Sequence, residues 1–244
     1  STTNKKPTET FGNEFKEVII GGAALNPEAE EFFKKIGFRF TVGYGMTECA
    51  PLISHAFWDE FKLHSVGKVL PTMEAKILSN NPQNEVGEIL VRGENVMLGY
   101  YKNEEATRLA LDEDGWLHTG DMGTMDYDGT IYIKGRNKNM LLGPSGQNIY
   151  PEEIENKLNN MPFVLESLVL QNAENKLVAL VVPDYDAMDE AKLTTKDLEL
   201  VMEENRKASI DICFLLGIFS NIIRCYNFTI VIVTIWCCYA LVNT

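Results

Sequence analysis

Four short segments carry residue types that could bind a nucleotide. They are GGAAL at 21–25, YGMTE at 44–48, HTGD at 118–121 and a longer basic and glycine-bearing stretch at 135–155. A tyrosine between glycines can expose a ring face to a base, and a nearby hydroxyl and carboxylate could hold a phosphate oxygen and its Mg²⁺. Each segment alone is weak evidence, because glycine-rich turns with a threonine are common.

Two charged residues in the later segments suit a ribose or a phosphate. Asp121 follows Thr119 and Gly120, and its carboxylate could accept both hydroxyls of a ribose or could cap a turn. Arg136 has a permanent, forked charge that suits a ribose or phosphate oxygen, whereas an arginine after a strand is often only a solvated surface residue. The residues alone leave both alternatives open.

The elements around the first two segments predict a parallel β-α-β unit. The apolar run at 18–20 predicts a strand that ends at two glycines, where backbone can approach a ligand. Asn26 as N-cap, Pro27 as first residue and Gly37 past the end predict a helix. Residues 38–42 predict the second strand, and ligands in open α/β sheets bind at such strand ends.

From residue 65 to residue 134 the pattern changes to short strands separated by turn residues. Strands are expected at 73–78 and 88–91, a short helix at 104–111, and a hairpin around the turn at 126–129. This pattern predicts a small antiparallel sheet or barrel that follows the β-α-β unit.

The stretch at 135–155 lies between a predicted strand and a predicted helix. Pro151 suits the first helical position, and Glu152 and Glu153 suit the positive end of the helix dipole. This order is typical of a hinge between two domains, although a surface loop with a basic cluster would have the same pattern. Beyond it, two strands and a terminal helix at 195–206 predict a mixed α and β unit.

Composition limits the classes of protein that this chain can represent. The formal net charge of −13 argues against a nucleic-acid binder, since phosphate backbones attract basic faces. Cys49 is the one cysteine before residue 213, so no disulfide framework fits the body of the chain. The first residues have no secretory h-region, so we expect a cytoplasmic location, and they lack an initial Met, which is expected of a start within a longer protein.

The tail at 207–244 is apolar and almost uncharged. Its run at 225–241 would be about 26 Å long as a helix at ~1.5 Å per residue, near the lower limit for a membrane span. A membrane anchor is one interpretation, with Arg224 and the lack of flanking basic residues against it. A segment foreign to the preceding domain, such as an out-of-frame extension, is the other.

The four segments together, in this order and spacing, resemble the adenylate-forming superfamily of acyl-CoA synthetases, luciferases and peptide-synthetase adenylation domains. The segment MLLGPSGQNIYPEEIE at 140–155 is most similar to a bacterial long-chain fatty acyl-CoA ligase. The resemblance implies an α/β fold: the later part of a large AMP-binding domain, followed by a truncated small α+β domain. The expected segments are the partial large domain at 1–134, a hinge at 135–138, the partial small domain at 139–206 and the tail at 207–244.

The resemblance also implies a role for each matching residue. Thr47 would contact the phosphates of ATP and Glu48 would hold Mg²⁺. The remaining expected contacts with ATP, AMP or coenzyme A involve Gly22 and Ala23 in the adenine and acyl pocket, Tyr44 and Gly45 at the adenine, Asp121 and Arg136 at the ribose, Lys138 at the hinge and Gly146 in the loop lining the coenzyme A channel.

The implied reaction is that of an acid–thiol ligase, in which a fatty acid is activated by ATP to acyl-AMP and transferred to coenzyme A. An adenylation domain that loads an amino or aryl acid onto a carrier protein, and a non-catalytic membrane-tethered nucleotide-binding fragment, are the alternatives. Peripheral membrane contact through the substrate or the tail is compatible with each of them. Chain-length preference and oligomeric state stay open.

Two parts of the family pattern are missing from this sequence. The phosphate loop that the family places before GGAAL is absent, and so is the late Gly-Lys pair of the small domain. We therefore expect this chain alone to have little ligase activity.

Overall fold

The computed structural model describes residues 14–143, 146–172 and 177–194, together with 197, 200–202, 204–205 and a strand at 229–232. The chain divides into two compact units, of which the first ends at Lys138 and the second begins at Asn139. Half of the predicted helix at 195–206 and most of the tail at 207–244 lie outside the described residues. Within the described part, no helix is both long enough and apolar enough to span a bilayer.

The first unit begins with the predicted β-α-β arrangement. Strand β1 (Val18–Ile20) leads to helix α1 (Pro27–Ile36), which leads to β2 (Phe40–Val42), and the two strands pair in parallel. The Asn26 side chain accepts hydrogen bonds from the first turn of α1, and Gly37 ends the helix with a left-handed φ of 69°. These local signals confirm the predicted unit, although β2 begins two residues later than expected.

Two antiparallel sheets follow in the first unit. The smaller one contains β3 (Tyr44–Gly45), β4 (Leu52–His55) and β5 (Lys68–Val69). The larger one has four strands in chain order, which are β6 (Met73–Leu78), β7 (Gly87–Gly93), β8 (Leu117–Met125) and β9 (Ile131–Arg136). Helix α2 (Glu104–Ala110) connects β7 to β8. An antiparallel sheet was expected in this region, and its last strand extends two residues beyond position 134.

One apolar core joins the two antiparallel sheets. Most of its fully buried members come from the inward face of the strands, as period-2 alternation requires. They include Ile53, Ile89, Val91, Leu117 and Ile131. Tyr44 and Cys49 pack into the same core, so the segment that contains YGMTE is anchored on its inner side.

The second unit mixes helices and strands, as predicted. A small hairpin of β10 (Leu141–Leu142) and β11 (Asn148–Ile149) precedes helix α3 (Pro151–Leu158). Strands β12 (Val164–Gln171) and β13 (Leu177–Pro183) pair antiparallel, helix α4 (Tyr185–Glu190) follows, and β14 (Thr229–Ile232) runs parallel to β13. The α/β class is therefore confirmed, whereas the assignment of this unit as a truncated small domain stays a prediction.

Candidate functional site

The carboxyl ends of β1 and β2 bring the first two predicted segments together. The Gly43 N–H donates to the carbonyl oxygen of Ile20 at 2.8 Å, directly after both strands end. A Cβ added at Gly21 would lie 3.3 Å from the Gly43 carbonyl oxygen, so the two loops run side by side. Gly22, with a φ of +90°, and Ala23 are exposed in the first of these loops.

Tyr44 and Asp121 form a buried hydrogen-bonded pair across the first unit. The Tyr44 hydroxyl donates to Oδ2 of Asp121 at 2.6 Å, although the two residues are 77 positions apart. Tyr44 is 7% exposed and Asp121 is 5% exposed. Burial, and next the charge of Asp121, raise the pKa of Tyr44 far above its usual value, so the hydroxyl remains a donor even at a pH at which an exposed tyrosine would ionise.

Arg136 supplies the second partner of Asp121. Its Nε donates to Oδ1 at 3.0 Å, and the two residues face each other in the pairing of β8 with β9. The Arg136 side chain is 64% exposed, so the ion pair is screened on one side by solvent. Asp121 thus has one donor on each carboxylate oxygen, and Arg136 keeps most of its surface accessible.

An irregularity in β8 determines the position of Asp121. The pairing of β7 with β8 shifts register between Glu88 and Leu90, and Gly120 adopts a φ of +73°. The Thr119 hydroxyl donates to the Ile89 carbonyl at 2.7 Å and accepts from the Asp121 N–H at 3.0 Å. Such bulges reorient a side chain, and this one fixes the carboxylate that faces Tyr44.

Glu88 holds the same bulge from the neighbouring strand. Its Oε1 accepts from the Gly120 N–H at 3.1 Å, and its Oε2 lies 2.9 Å from Nδ1 of His118. No role was assigned to either His118 or Glu88 from the sequence. A glutamate at a strand start has no distinctive sequence signal, because its role depends on a pairing 30 residues away.

Thr47 and Glu48 lie in a 3₁₀ turn at Thr47–Cys49, directly after β3. The turn requires Gly45, since a Cβ there would meet the Pro51 carbonyl oxygen at 2.3 Å. Thr47 is exposed, Glu48 is half-buried, and Cys49 is fully buried beneath them. The structure therefore presents the two predicted phosphate and Mg²⁺ contacts next to Tyr44 along the chain.

A loop at 94–100 supports this turn with three residues. Asn95 Nδ2 donates to the carbonyl oxygens of Cys49 and Leu52 at 2.6 and 3.0 Å. The Met97 N–H donates to the Glu48 carbonyl at 2.7 Å, and the Tyr100 hydroxyl donates to Glu48 Oε1 at 2.9 Å. None of these contacts was predicted from the sequence.

The described residues contain no cluster of three or more His, Cys, Asp or Glu side chains that could hold a metal ion. Glu48 offers a single carboxylate, of which one oxygen is held by Tyr100. Mg²⁺ in nucleotide sites is commonly bound by one or two carboxylates plus substrate phosphates and water. The donor set at Glu48 therefore fits a cation that arrives with a nucleotide.

The last two predicted residues lie at the boundary and in the second unit. Gly135 and Arg136 still belong to β9, and Lys138 is exposed in a 3₁₀ turn at Asn137–Asn139. Gly146, with a φ of +80°, lies in the turn between β10 and β11, and its N–H donates to the Gly143 carbonyl at 2.8 Å. The roles of Lys138 as a pivot and of Gly146 in a channel stay predictions.

The chain has an α/β fold and is similar to enzymes that bind adenine nucleotides. A family model described as AMP-binding enzyme matches residues 2–101. The putative acyl-CoA synthetase YngI of Bacillus subtilis is 39% identical over 162 residues, which cover 63% of this chain and 29% of that protein. The long-chain-fatty-acid–CoA ligase FadD15 of Mycobacterium bovis is 31% identical over 185 residues, which cover 76% of this chain and 30% of that protein.

Solved structures of adenylate-forming enzymes are also similar to this chain. The O-succinylbenzoate coenzyme A synthetase MenE of Bacillus subtilis, in complex with AMP, aligns with a TM-score of 0.62 at 31% identity. The alignment covers 74% of this chain and 40% of that chain. This chain therefore matches the AMP-binding enzyme family in sequence over residues 2–101 and shares its fold with adenylate-forming enzymes. It spans about a third of the length of the curated relatives that it matches.

Proposed function

We propose that this chain provides the adenine-nucleotide site of an acid–thiol ligase. In the proposed reaction a carboxylate oxygen attacks the α-phosphorus of ATP, the bond to pyrophosphate breaks, and an acyl-AMP forms. The sulfur of coenzyme A then attacks the acyl carbon, and AMP leaves. The observation that carries the proposal is the Tyr44–Asp121–Arg136 arrangement on a fold shared with adenylate-forming enzymes.

In this proposal Asp121 accepts the ribose hydroxyls. Its carboxylate oxygens have further lone pairs beyond the two that Tyr44 and Arg136 occupy, so a ribose can add hydrogen bonds without displacing either partner. The exposed Arg136 guanidinium can reach the same ribose. Tyr44 begins β3, and Gly43 before it lies against the loop that contains the exposed Gly22 and Ala23, which supports an adenine position at this edge.

Glu48 and Thr47 take the phosphate end of the nucleotide. Bound Mg²⁺ would neutralise charge that develops on the phosphoryl oxygens during transfer. Glu48 would ligate the cation through its carboxylate, and the exposed Thr47 hydroxyl would donate to a phosphate oxygen. Gly45 permits the tight turn that places these two residues directly after Tyr44.

For the acid substrate we propose a long-chain fatty acid. Relatives named long-chain-fatty-acid–CoA ligase support this choice. An aryl acid is the second candidate, because the chain also aligns with a synthetase that is named for O-succinylbenzoate. A cytoplasmic location with peripheral membrane contact is a further proposal, which fractionation with and without residues 207–244 tests.

Calorimetric titration with non-hydrolysable acyl-sulfamoyl adenosines tests the function and the substrate together. We expect the palmitoyl derivative to bind more tightly than AMP, since the acyl pocket adds apolar contact. Tighter binding of the succinylbenzoyl derivative would favour the aryl acid. Failure of AMP and of both derivatives to bind would overturn the proposed nucleotide site.

A further inference from the structure

The loop at 94–100 contacts the Glu48 turn in two different ways. Asn95 and Met97 bind its backbone, through the carbonyl oxygens of Glu48, Cys49 and Leu52. Tyr100 binds the Glu48 side chain alone, through its hydroxyl and Oε1 at 2.9 Å. The backbone and the carboxylate of this turn are therefore held by separate groups.

Asn95 and Met97 therefore support the backbone of the turn, whereas Tyr100 positions the Glu48 side chain. Three hydrogen bonds from Asn95 and Met97 maintain the path of the turn without Tyr100. The Tyr100 hydroxyl restricts only the orientation of a half-buried carboxylate, which would otherwise sample several rotamers. Oε2 of Glu48 accepts no hydrogen bond from the described residues, so Tyr100 leaves one carboxylate oxygen available.

The surroundings of Tyr100 are compatible with a site that a ligand reaches. Tyr100 is 39% exposed and lines an open cavity of about 480 Å³ together with Gly99, Thr107 and Arg108. The Thr107 hydroxyl accepts a hydrogen bond from the Tyr100 N–H at 2.9 Å, which fixes the backbone of Tyr100. The Tyr100 side chain is thus held against Glu48 while solvent still reaches both residues.

We propose that Tyr100 is a positioning residue that orients Glu48, so that Oε2 faces the divalent cation of a bound Mg–ATP. The inference rests on the proposed nucleotide site at Asp121. Carboxylates that ligate metal ions commonly have their second oxygen hydrogen-bonded by such an outer group, and loss of that group weakens metal binding. Tyr100 acts through Glu48 and touches neither nucleotide nor metal.

Tyr100→Phe tests the proposal, with Tyr101→Phe as the matched control. Tyr101 is 88% exposed and adjacent along the chain, so the control removes the same atom without a contact to Glu48. Affinity is measured with a fluorescent AMP derivative in the presence of a metal chelator and with the corresponding ATP derivative in excess Mg²⁺. We expect Tyr100→Phe to weaken Mg–ATP binding about tenfold and to leave metal-free AMP binding unchanged.

A double-mutant cycle with Glu48→Ala shows whether Tyr100 affects Mg–ATP affinity through Glu48 or independently of it. Because Tyr100 acts through Glu48, the double variant should bind Mg–ATP no more weakly than Glu48→Ala alone. Additive losses would overturn the proposal, as would equal Mg–ATP affinity of the two Tyr→Phe variants. If Tyr100→Phe also lost AMP binding, the hydroxyl would serve the fold instead, and the proposal would be wrong. A wild-type chain that binds neither nucleotide would overturn the proposed function itself.

Discussion

The two carboxylates of the candidate site are held in different ways. The Asp121 side chain is 8% exposed, lies within a four-stranded sheet, and has a donor on each oxygen. Glu48 is half-buried on a short turn and has one donor on one oxygen. In the proposed site, the ribose end would therefore be formed before any ligand binds, whereas the phosphate end would keep ligand positions open.

This difference agrees with the ligand that we propose for each carboxylate. A buried charge is expensive unless it is paired, so Asp121 needs Tyr44 and Arg136 before a ribose arrives. A carboxylate that ligates Mg²⁺ receives its counter-charge from the cation and therefore needs only orientation. Rigidity at one end and openness at the other suit a nucleotide that enters with its metal ion.

The largest effect should come from Asp121→Ala. It removes the ribose acceptor and leaves the buried Tyr44 hydroxyl without its partner, so metal-free AMP affinity should fall about 30-fold, or ~2 kcal/mol. Glu48→Ala should leave metal-free AMP affinity unchanged and weaken only Mg–ATP. Calorimetry of both variants, with the exposed Asp59→Ala as control, measures this contrast. Equal losses of AMP affinity in both variants would contradict the proposal that Asp121 and Glu48 bind different ends of the nucleotide.

Gly45→Ala should have the next largest effect, on stability. The added Cβ would meet the Pro51 carbonyl oxygen at 2.3 Å and the Leu52 Cα at 3.0 Å, both in backbone that cannot easily move. We expect a loss of about 1–3 kcal/mol in the free energy of unfolding, measured by urea denaturation. Gly21→Ala, with a nearest contact of 3.3 Å, is the graded control and should cost less. Similar values for both would show that the Glu48 turn is looser than described.

Tyr44→Phe should have a smaller effect. It removes one of the two donors to Asp121, and the loss should be about 1 kcal/mol in stability and a few-fold in AMP affinity. Tyr127→Phe, at a side chain that is 92% exposed, is the control for the loss of a hydroxyl. Thermal unfolding and calorimetry give the two values. A neutral Tyr44→Phe would mean that Arg136 alone suffices for Asp121.

The smallest expected effect concerns the pH dependence around the Glu48 turn. Burial, and next the charge of Glu48, raise the pKa of Cys49 from 9.0 to about 11. The unfolded thiol releases its proton at lower pH than the folded one, so this contribution to stability is complete below pH 9 and is lost as the pH rises towards 11. Cys49→Ala should reduce the slope of stability with pH in that window. An unchanged slope would contradict the buried placement of Cys49 beneath the turn.

Local sequence signals predicted the elements that depend on local chemistry. Asn26, Pro27 and Gly37 defined α1 because capping and left-handed termination need only nearby residues. Strand β6 was predicted with its observed limits, and the turn at 126–129 does connect β8 to β9. The β-α-β unit followed from these elements and placed Tyr44 at a strand end.

The sequence did not predict the strand that carries Asp121. Gly120, Asp121 and Gly123 are poor strand formers, so no strand was expected there, and only pairing with β7 and β9 makes the segment a strand. The contacts of Glu88 and Tyr100 with the site link positions 30 to 52 residues apart. No periodicity or local motif reports such contacts, so the groups that support the site became visible only in the fold.

The central claim is that Asp121 binds the ribose hydroxyls of the nucleotide. It is tested most directly by removing these hydroxyls from the ligand and the Asp121 carboxylate from the protein. Wild type and Asp121→Ala would each be titrated with AMP and with 2′,3′-dideoxy-AMP. If Asp121 accepts the ribose hydroxyls, wild type should bind AMP about tenfold more tightly than the dideoxy nucleotide, and this gap should vanish in Asp121→Ala. Equal affinities in wild type, or a gap that persists in the variant, would contradict the account.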